Sequence, residues 1–130
     1  MCHTRLIGSI EIVTGTAMGM HIHKTRQKHL SLGVDLVIPD VTYLQQNKDR
    51  VRGIFITHGH EDHIGATPYV LRQVPMPLYG TKLTLALVDH KLNEHRIAGI
   101  PLHVIKPREE LRLGCFTVRF LHVNHSIAGA

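Results

Sequence analysis

The feature that most constrains this chain is an abrupt change of character in its middle. Gly53-Ile54-Phe55-Ile56-Thr57 is a β-rich apolar run, and it leads straight into His58-Gly59-His60-Glu61-Asp62-His63. The first segment reads as a buried strand. The second puts three imidazoles and two carboxylates in a loop at the end of that strand. His58 and His60 are two residues apart, so in extended backbone both rings point to the same side. Gly59 between them lets the chain turn tightly. Asp62 and His63 come after the turn and face a second point in space. Neutral imidazole and carboxylate oxygen are the donors that borderline divalent metals take without a thiol. One loop therefore offers two pairs of ligands, the arrangement expected for two adjacent metal ions. Such ions, about 3.5–4 Å apart, can share a hydroxide and clamp an in-line phosphoryl displacement. A solvated polar loop is the bland alternative; the combination of ligand types directly after a buried strand favours the metal. Gly65 allows the following helix to pack close to the loop.

The surrounding pattern predicts an α/β domain. Val34–Ile38 reads as a strand ending at Pro39-Asp40, and Thr42–Val51 as a short helix. A helix starts between Asp62 and Pro68 and runs to Gln73, with Thr67 and Pro68 suited to its cap and first position. Leu78-Tyr79 is a short strand, and Thr81–Glu94 a helix carrying Leu83, Leu85, Leu87, Val88 and Leu92. Leu102–Ile105 is a strand. Leu111–Leu113, Gly114 and Phe116–Val123 form a hairpin. Strands alternating with helices make a layered domain with a mixed sheet. Before residue 30 the pattern is poor: Ile7, Ile10, Ile12 and Val13 form one short strand, and His21-Ile22-His23 is an irregular, solvated segment.

Composition narrows the functional classes. No apolar run approaches the ~18 residues of a spanning helix, and the N-terminus carries no secretion signal. Cys2 and Cys115 lack metal-site spacing, which sets aside a disulfide scaffold and a Cys-rich zinc site. A cytoplasmic location is the default. The net charge of +5 favours a polyanionic partner such as nucleic acid, although the basic residues are scattered as on a solvated surface. Twelve histidines are many for 130 residues, but their spacing carries the argument, not their number.

His-x-His-x-Asp-His resembles the signature of the metallo-β-lactamase fold of hydrolases. The flanks narrow the likeness. Gly33-Val34-Asp35-Leu36-Val37-Ile38-Pro39-Asp40 looks like the ribonuclease J family of the β-CASP branch. So do the run Gly53–Ala66, Tyr79-Gly80-Thr81-Lys82-Leu83-Thr84 and Val123-Asn124-His125-Ser126-Ile127. The resemblance covers Leu32 to Ile127. It implies an αββα sandwich of which the first half is present. It also implies that His58, His60 and His125 hold a first zinc, and that Asp62 and His63 hold a second. Asp62 is the residue carried over as catalytic. On the residues alone His125 is a plain polar residue, and His122 is its near alternative; His125 holds the matching position. Zinc is the implied metal, two ions in a complete site, with manganese or magnesium possible.

The resemblance implies a zinc-dependent hydrolase of RNA phosphodiesters, of an endoribonuclease and 5′-to-3′ exoribonuclease family in RNA maturation and decay. RNA is the implied partner and no membrane is involved. The family tends to form homo-oligomers, through parts not expected in this chain. Residues 1–31 read as a divergent N-terminal segment without the family's Asp-Ala-Gly turn, and 32–130 as a partial metallo-β-lactamase domain. The bridging aspartate, a further histidine and the β-CASP and C-terminal domains are absent, so the chain reads as a truncated form. With half of a sandwich, one sheet face is expected to stay partly uncovered. Two other readings compete: a hydrolase of the same fold with another substrate, or an inactive zinc-binding remnant.

Overall fold

The computed structural model describes residues 38–130 in full and the backbone of 3–7 and 10–14. The expected strand Val34–Ile38 lies almost wholly outside the described residues, as does His21-Ile22-His23.

A five-stranded mixed sheet forms the centre, in the order β1-β2-β3-β4-β5. β1 (His3–Ile7) and β2 (Ile10–Thr14) pair antiparallel, so Ile7 and Ile10 oppose each other instead of sharing one strand. The single strand expected there is corrected to a hairpin. Its apolar residues straddle Gly8-Ser9, turn-forming types that outweigh the continuity of the run. β2 pairs antiparallel with β3 (Val51–Phe55), which pairs parallel with β4 (Leu78–Gly80), and β4 in turn with β5 (Leu102–Val104). Parallel neighbours need crossovers, and helices supply them. α2 (Glu61–Ile64) and α3 (Thr67–Gln73) link β3 to β4, and α4 (Lys82–Glu94) links β4 to β5. Ahead of β3 stand the short α1 (Thr42–Gln46) and a 3-10 turn at Lys48–Arg50.

The period-two alternation of the strands sorts the core into two layers. Ile54, Ile56 and Leu78 pack with Leu44, Val70, Leu71, Leu85, Val88 and Leu92 on the helical side. Phe55 and Tyr79 stack at 4.8 Å between ring centres and join Ile105 on the opposite side. A second sheet covers that side. It is the hairpin of β6 (Glu110–Leu113) and β7 (Phe116–Arg119), whose Leu111, Leu113, Phe116 and Val118 face inward. Gly114 makes its turn possible with a φ of 63°, a left-handed backbone that glycine adopts without strain.

Several expectations need correction. The single helix before Gln73 is two: α2 starts at Glu61, and α3 is capped by Ala66, with Thr67 already helical. The Thr67 hydroxyl makes no cap bond and is buried without a partner. β7 ends at Arg119, so the hairpin does not reach Val123, and Leu121 and Val123 are 68% and 55% exposed. Cys115, exposed in the β6–β7 turn, is held in a disulfide.

An apolar cleft of about 890 Å³ opens between the two sheets. Phe55, Ile105, Val118 and Phe120 line it, and His58 and His125 stand at its wall.

Candidate metal centre

β3 delivers the site. Its last ladder bond runs from the Ile56 amide to the Tyr79 carbonyl at 2.9 Å, and the chain then leaves the sheet. Thr57 is exposed and His58 is buried at 7% exposure. The Thr57 hydroxyl lies 2.9 Å from His58 Nδ1. A proton on Nδ1 donated to that oxygen leaves the Nε2 lone pair free, which is how ligating histidines are oriented. His60 keeps extended backbone as the cap of α2, and its carbonyl accepts the amides of His63 and Ile64 at 3.0 and 3.1 Å.

Gly59 has a different use from the expected tight turn. Its φ is not left-handed; instead, a Cβ there would stand 2.5 Å from Leu87 Cδ1 on α4. The bare backbone lets the loop lie directly against that helix. Gly65 likewise leaves room for Glu61, whose carbonyl oxygen and Oε1 lie 2.7 and 2.8 Å from where its Cβ would be.

The third histidine arrives from far along the chain. After β7 the segment through Phe120 runs without regular structure and brings His125 back over the loop. β7 stops six residues before His125, at Arg119. His58 Nε2 and His125 Nε2 face each other at 3.1 Å. The ring centres of His58, His60 and His125 lie 4.4–4.8 Å apart, with the rings nearly perpendicular. One nitrogen from each ring lies within 4.8 Å of the other two. Ser126 Oγ stands 3.4 Å from His60 Nε2.

Asp62 and His63 sit beside this group on the first turn of α2. Their side chains are 3.7 Å apart, with Asp62 73% exposed and His63 23%. The His63 ring centre is 4.0 Å from that of His58. The structure thus gathers His58, His60 and His125 at one point, and sets Asp62 and His63 at its edge. His122 lines the cleft but does not join the three.

The donor set fits a divalent cation. Two nitrogens bound tetrahedrally at 2.0–2.1 Å from one zinc-sized ion lie about 3.3 Å apart, close to the 3.1 Å between His58 and His125. Burial, then the neighbouring His63, His125 and His60, hold the His58 imidazole below its ordinary 6.5, with Asp62 opposing them. A neutral ring is what coordination requires. The same shift predicts a pH effect on the metal-free chain. Folded His58 takes up a proton less readily than unfolded His58. Its contribution to stability is therefore complete above 6.5 and is lost as pH falls through that value towards the lower folded one. The unfolding temperature should drop between about pH 7.5 and about pH 5.5, and His58→Gln should flatten that drop, as thermal melts across the range would show.

The beta-lactamase superfamily domain matches residues 33–129, and the chain belongs to that superfamily. Within it the chain is similar to the ribonucleases J. It is 45% identical over 97 residues to "Ribonuclease J" of Helicobacter pylori (strain ATCC 700392 / 26695), covering 73% of this chain and 14% of that protein. It is 46% identical over 99 residues to "Ribonuclease J" of Synechocystis sp. (strain ATCC 27184 / PCC 6803 / Kazusa), covering 74% and 16%. Against "Ribonuclease J 2" of Staphylococcus aureus (strain NCTC 8325 / PS 47) the identity is 41% over 97 residues, covering 74% and 17%. The chain thus spans 14–17% of the length of these relatives. No helix among the described residues is long and apolar enough to cross a membrane.

Proposed function

We propose that this chain supplies the metal-binding part of a zinc-dependent ribonuclease of the ribonuclease J type, acting on RNA phosphodiester bonds in the cytoplasm. The observation that carries the reading is the convergence of His58, His60 and His125 at the end of β3, with two facing nitrogens 3.1 Å apart. The ribonuclease J names of the relatives support the substrate. In this reading residues 32–130 are a partial metallo-β-lactamase domain, preceded by the divergent segment 1–31.

In this reading His58, His60 and His125 hold one zinc, and Asp62 and His63 the second. A metal held by these residues would activate water near neutral pH and would offset charge on the phosphate oxygens. The protein's own residues set the geometry. Thr57 Oγ1 is placed to accept a hydrogen bond from His58 Nδ1, and Ser126 stands against His60. The apolar wall of the cleft beside His58 and His125 lowers the local dielectric and strengthens charge interactions at the site. The net charge of +5 favours an RNA strand over a neutral substrate.

A graft tests this function. Residues 33–129 of this chain are placed in the Helicobacter pylori relative in place of its matching segment, and the chimera is given 5′-monophosphorylated RNA with zinc or manganese. Cleavage is expected, and Asp62→Ala should abolish it. A well-folded chimera that binds zinc but cleaves no RNA would defeat the ribonuclease reading.

A further inference from the structure

Helix α4 touches the metal-ligand loop at two points one helical turn apart. Leu87 lies against Gly59, so close that a Cβ on Gly59 would stand 2.5 Å from Leu87 Cδ1. Lys91 Nζ lies 2.8 Å from Glu61 Oε1, an ion pair between residues 30 apart in the sequence. The Lys91 side chain is 24% exposed, which is low for a lysine on a surface helix, and Glu61 is 73% exposed. Gly59 and Glu61 are the neighbours of His60, and Glu61 is also the neighbour of Asp62. On its other side, α4 is anchored in the core by Leu85, Val88 and Leu92.

We propose that α4 acts as a positioning clamp for the ligand loop, with Lys91 and Glu61 as its adjustable contact. The proposal rests on the metal-site reading above. The reasoning is geometric. A six-residue loop carrying ligands to two points must hold its backbone direction at His60 and Asp62. The turn's own hydrogen bonds fix His60 to His63 and Ile64, but not to the rest of the domain. Leu87 and Lys91 supply that reference, because α4 is the long helix packed beside the loop. Gly65 belongs to the same device: without a side chain there, the Glu61 carboxylate can fold back to within reach of Lys91. Outer partners that orient metal ligands change metal affinity without binding the metal themselves.

Positioning and plain electrostatics make opposite forecasts. Lys91 is positive, so Lys91→Met removes a charge that repels a cation and would by Coulomb interaction tighten metal binding. Loss of a positioning contact would weaken it. The experiment measures zinc affinity by chelator competition in the full chain and in Lys91→Met, Glu61→Gln, the double variant and Lys91→Arg. Visible spectra of the cobalt forms and thermal melts of the metal-free forms accompany it. Lys91→Met and Glu61→Gln should each weaken zinc binding about five- to tenfold, at or below the lower end of the range for outer-sphere partners because the pair is partly exposed. The double variant should be no weaker than the weaker single one, since both remove the same contact. Lys91→Arg should restore affinity. The cobalt spectrum should change in the two single variants while the metal-free melting temperature stays unchanged. Affinity of Lys91→Met equal to or above that of the unaltered chain, or additive losses, would overturn the clamp while leaving the metal site intact. A lower metal-free melting temperature with unchanged affinity would show a structural pair only. An unaltered chain that binds no zinc would remove the metal-site reading and the clamp with it.

Discussion

Replacing His58 and His60 together with alanine is expected to weaken zinc binding by at least about a hundredfold. Outer partners of metal ligands alone are worth roughly 10–100-fold, and this change removes two of the three converging imidazoles. His125 would be left as a single exposed donor on an irregular segment. The measurement is metal content after dialysis together with chelator competition, on the unaltered chain and the double variant. His90→Ala is the control, because that side chain is 77% exposed on α4 and pairs with Glu94. Zinc should also raise the melting temperature of the unaltered chain, since a ligand that binds only the folded state stabilises it by mass action. The double variant should show no such rise. Equal zinc in both proteins would end the assignment of this loop as a metal site.

The second large effect concerns the strand that carries the site. Gly53 has a φ of 150°, and a Cβ there would stand 2.6 Å from Tyr79 Cε2 and 2.8 Å from the Pro77 carbonyl oxygen. That oxygen accepts the Ile54 amide at 2.9 Å, so an added methyl would press on the ladder itself. The register of β2 on β3 also shifts here: Val13 opposes Gly53 and Thr14 opposes Val51, which leaves Arg52 as a bulge. Gly53→Ala combines backbone strain with overpacking and should cost about 2–5 kcal/mol. A domain of this size is stable by only about 5–15 kcal/mol in all, so urea midpoints should fall steeply. Gly99→Ala is the comparison. Its φ of 78° is strained too, but nothing lies within 4 Å of its Cβ position, and the cost should be about 1–2 kcal/mol. Equal midpoint shifts in the two variants would show that the contact with β4 carries no energy.

The ligand loop was legible because it is local. His58, His60, Asp62 and His63 lie within one turn of chain, and the apolar run before them announces a strand. β4, α4 and β5 were legible for the same reason, and α4 differs from the expected range only in having Thr81 as its cap. What escaped depends on how elements meet. The sequence of α4 carries Leu83 and Leu87 alongside Leu85, Val88 and Leu92, yet these two are 46% and 38% exposed. The helix buries Leu85, Val88 and Leu92 instead, and its packing angle decides which leucines turn inward. The Gly53 bulge needs a partner strand to exist, so no window of sequence contains it. The early end of β7 has a similar cause: the alternation continues past Arg119, but a strand also needs a neighbour to pair with. His125 could be placed only through the resemblance, because it lies 62 positions beyond His63 and no local pattern marks it.

The pleat of β3 has a consequence for how this segment can vary. Ile54 and Ile56 face the helices and Phe55 faces the hairpin. Exchanging one apolar side chain for another in this stretch disturbs packing alone. Adding or deleting a single residue between Gly53 and Ile56 would invert the strand positions beyond it, sending an isoleucine into the aromatic layer and shifting the loop that begins at His58. Across natural variants, then, the length of this segment should be held more tightly than its spelling.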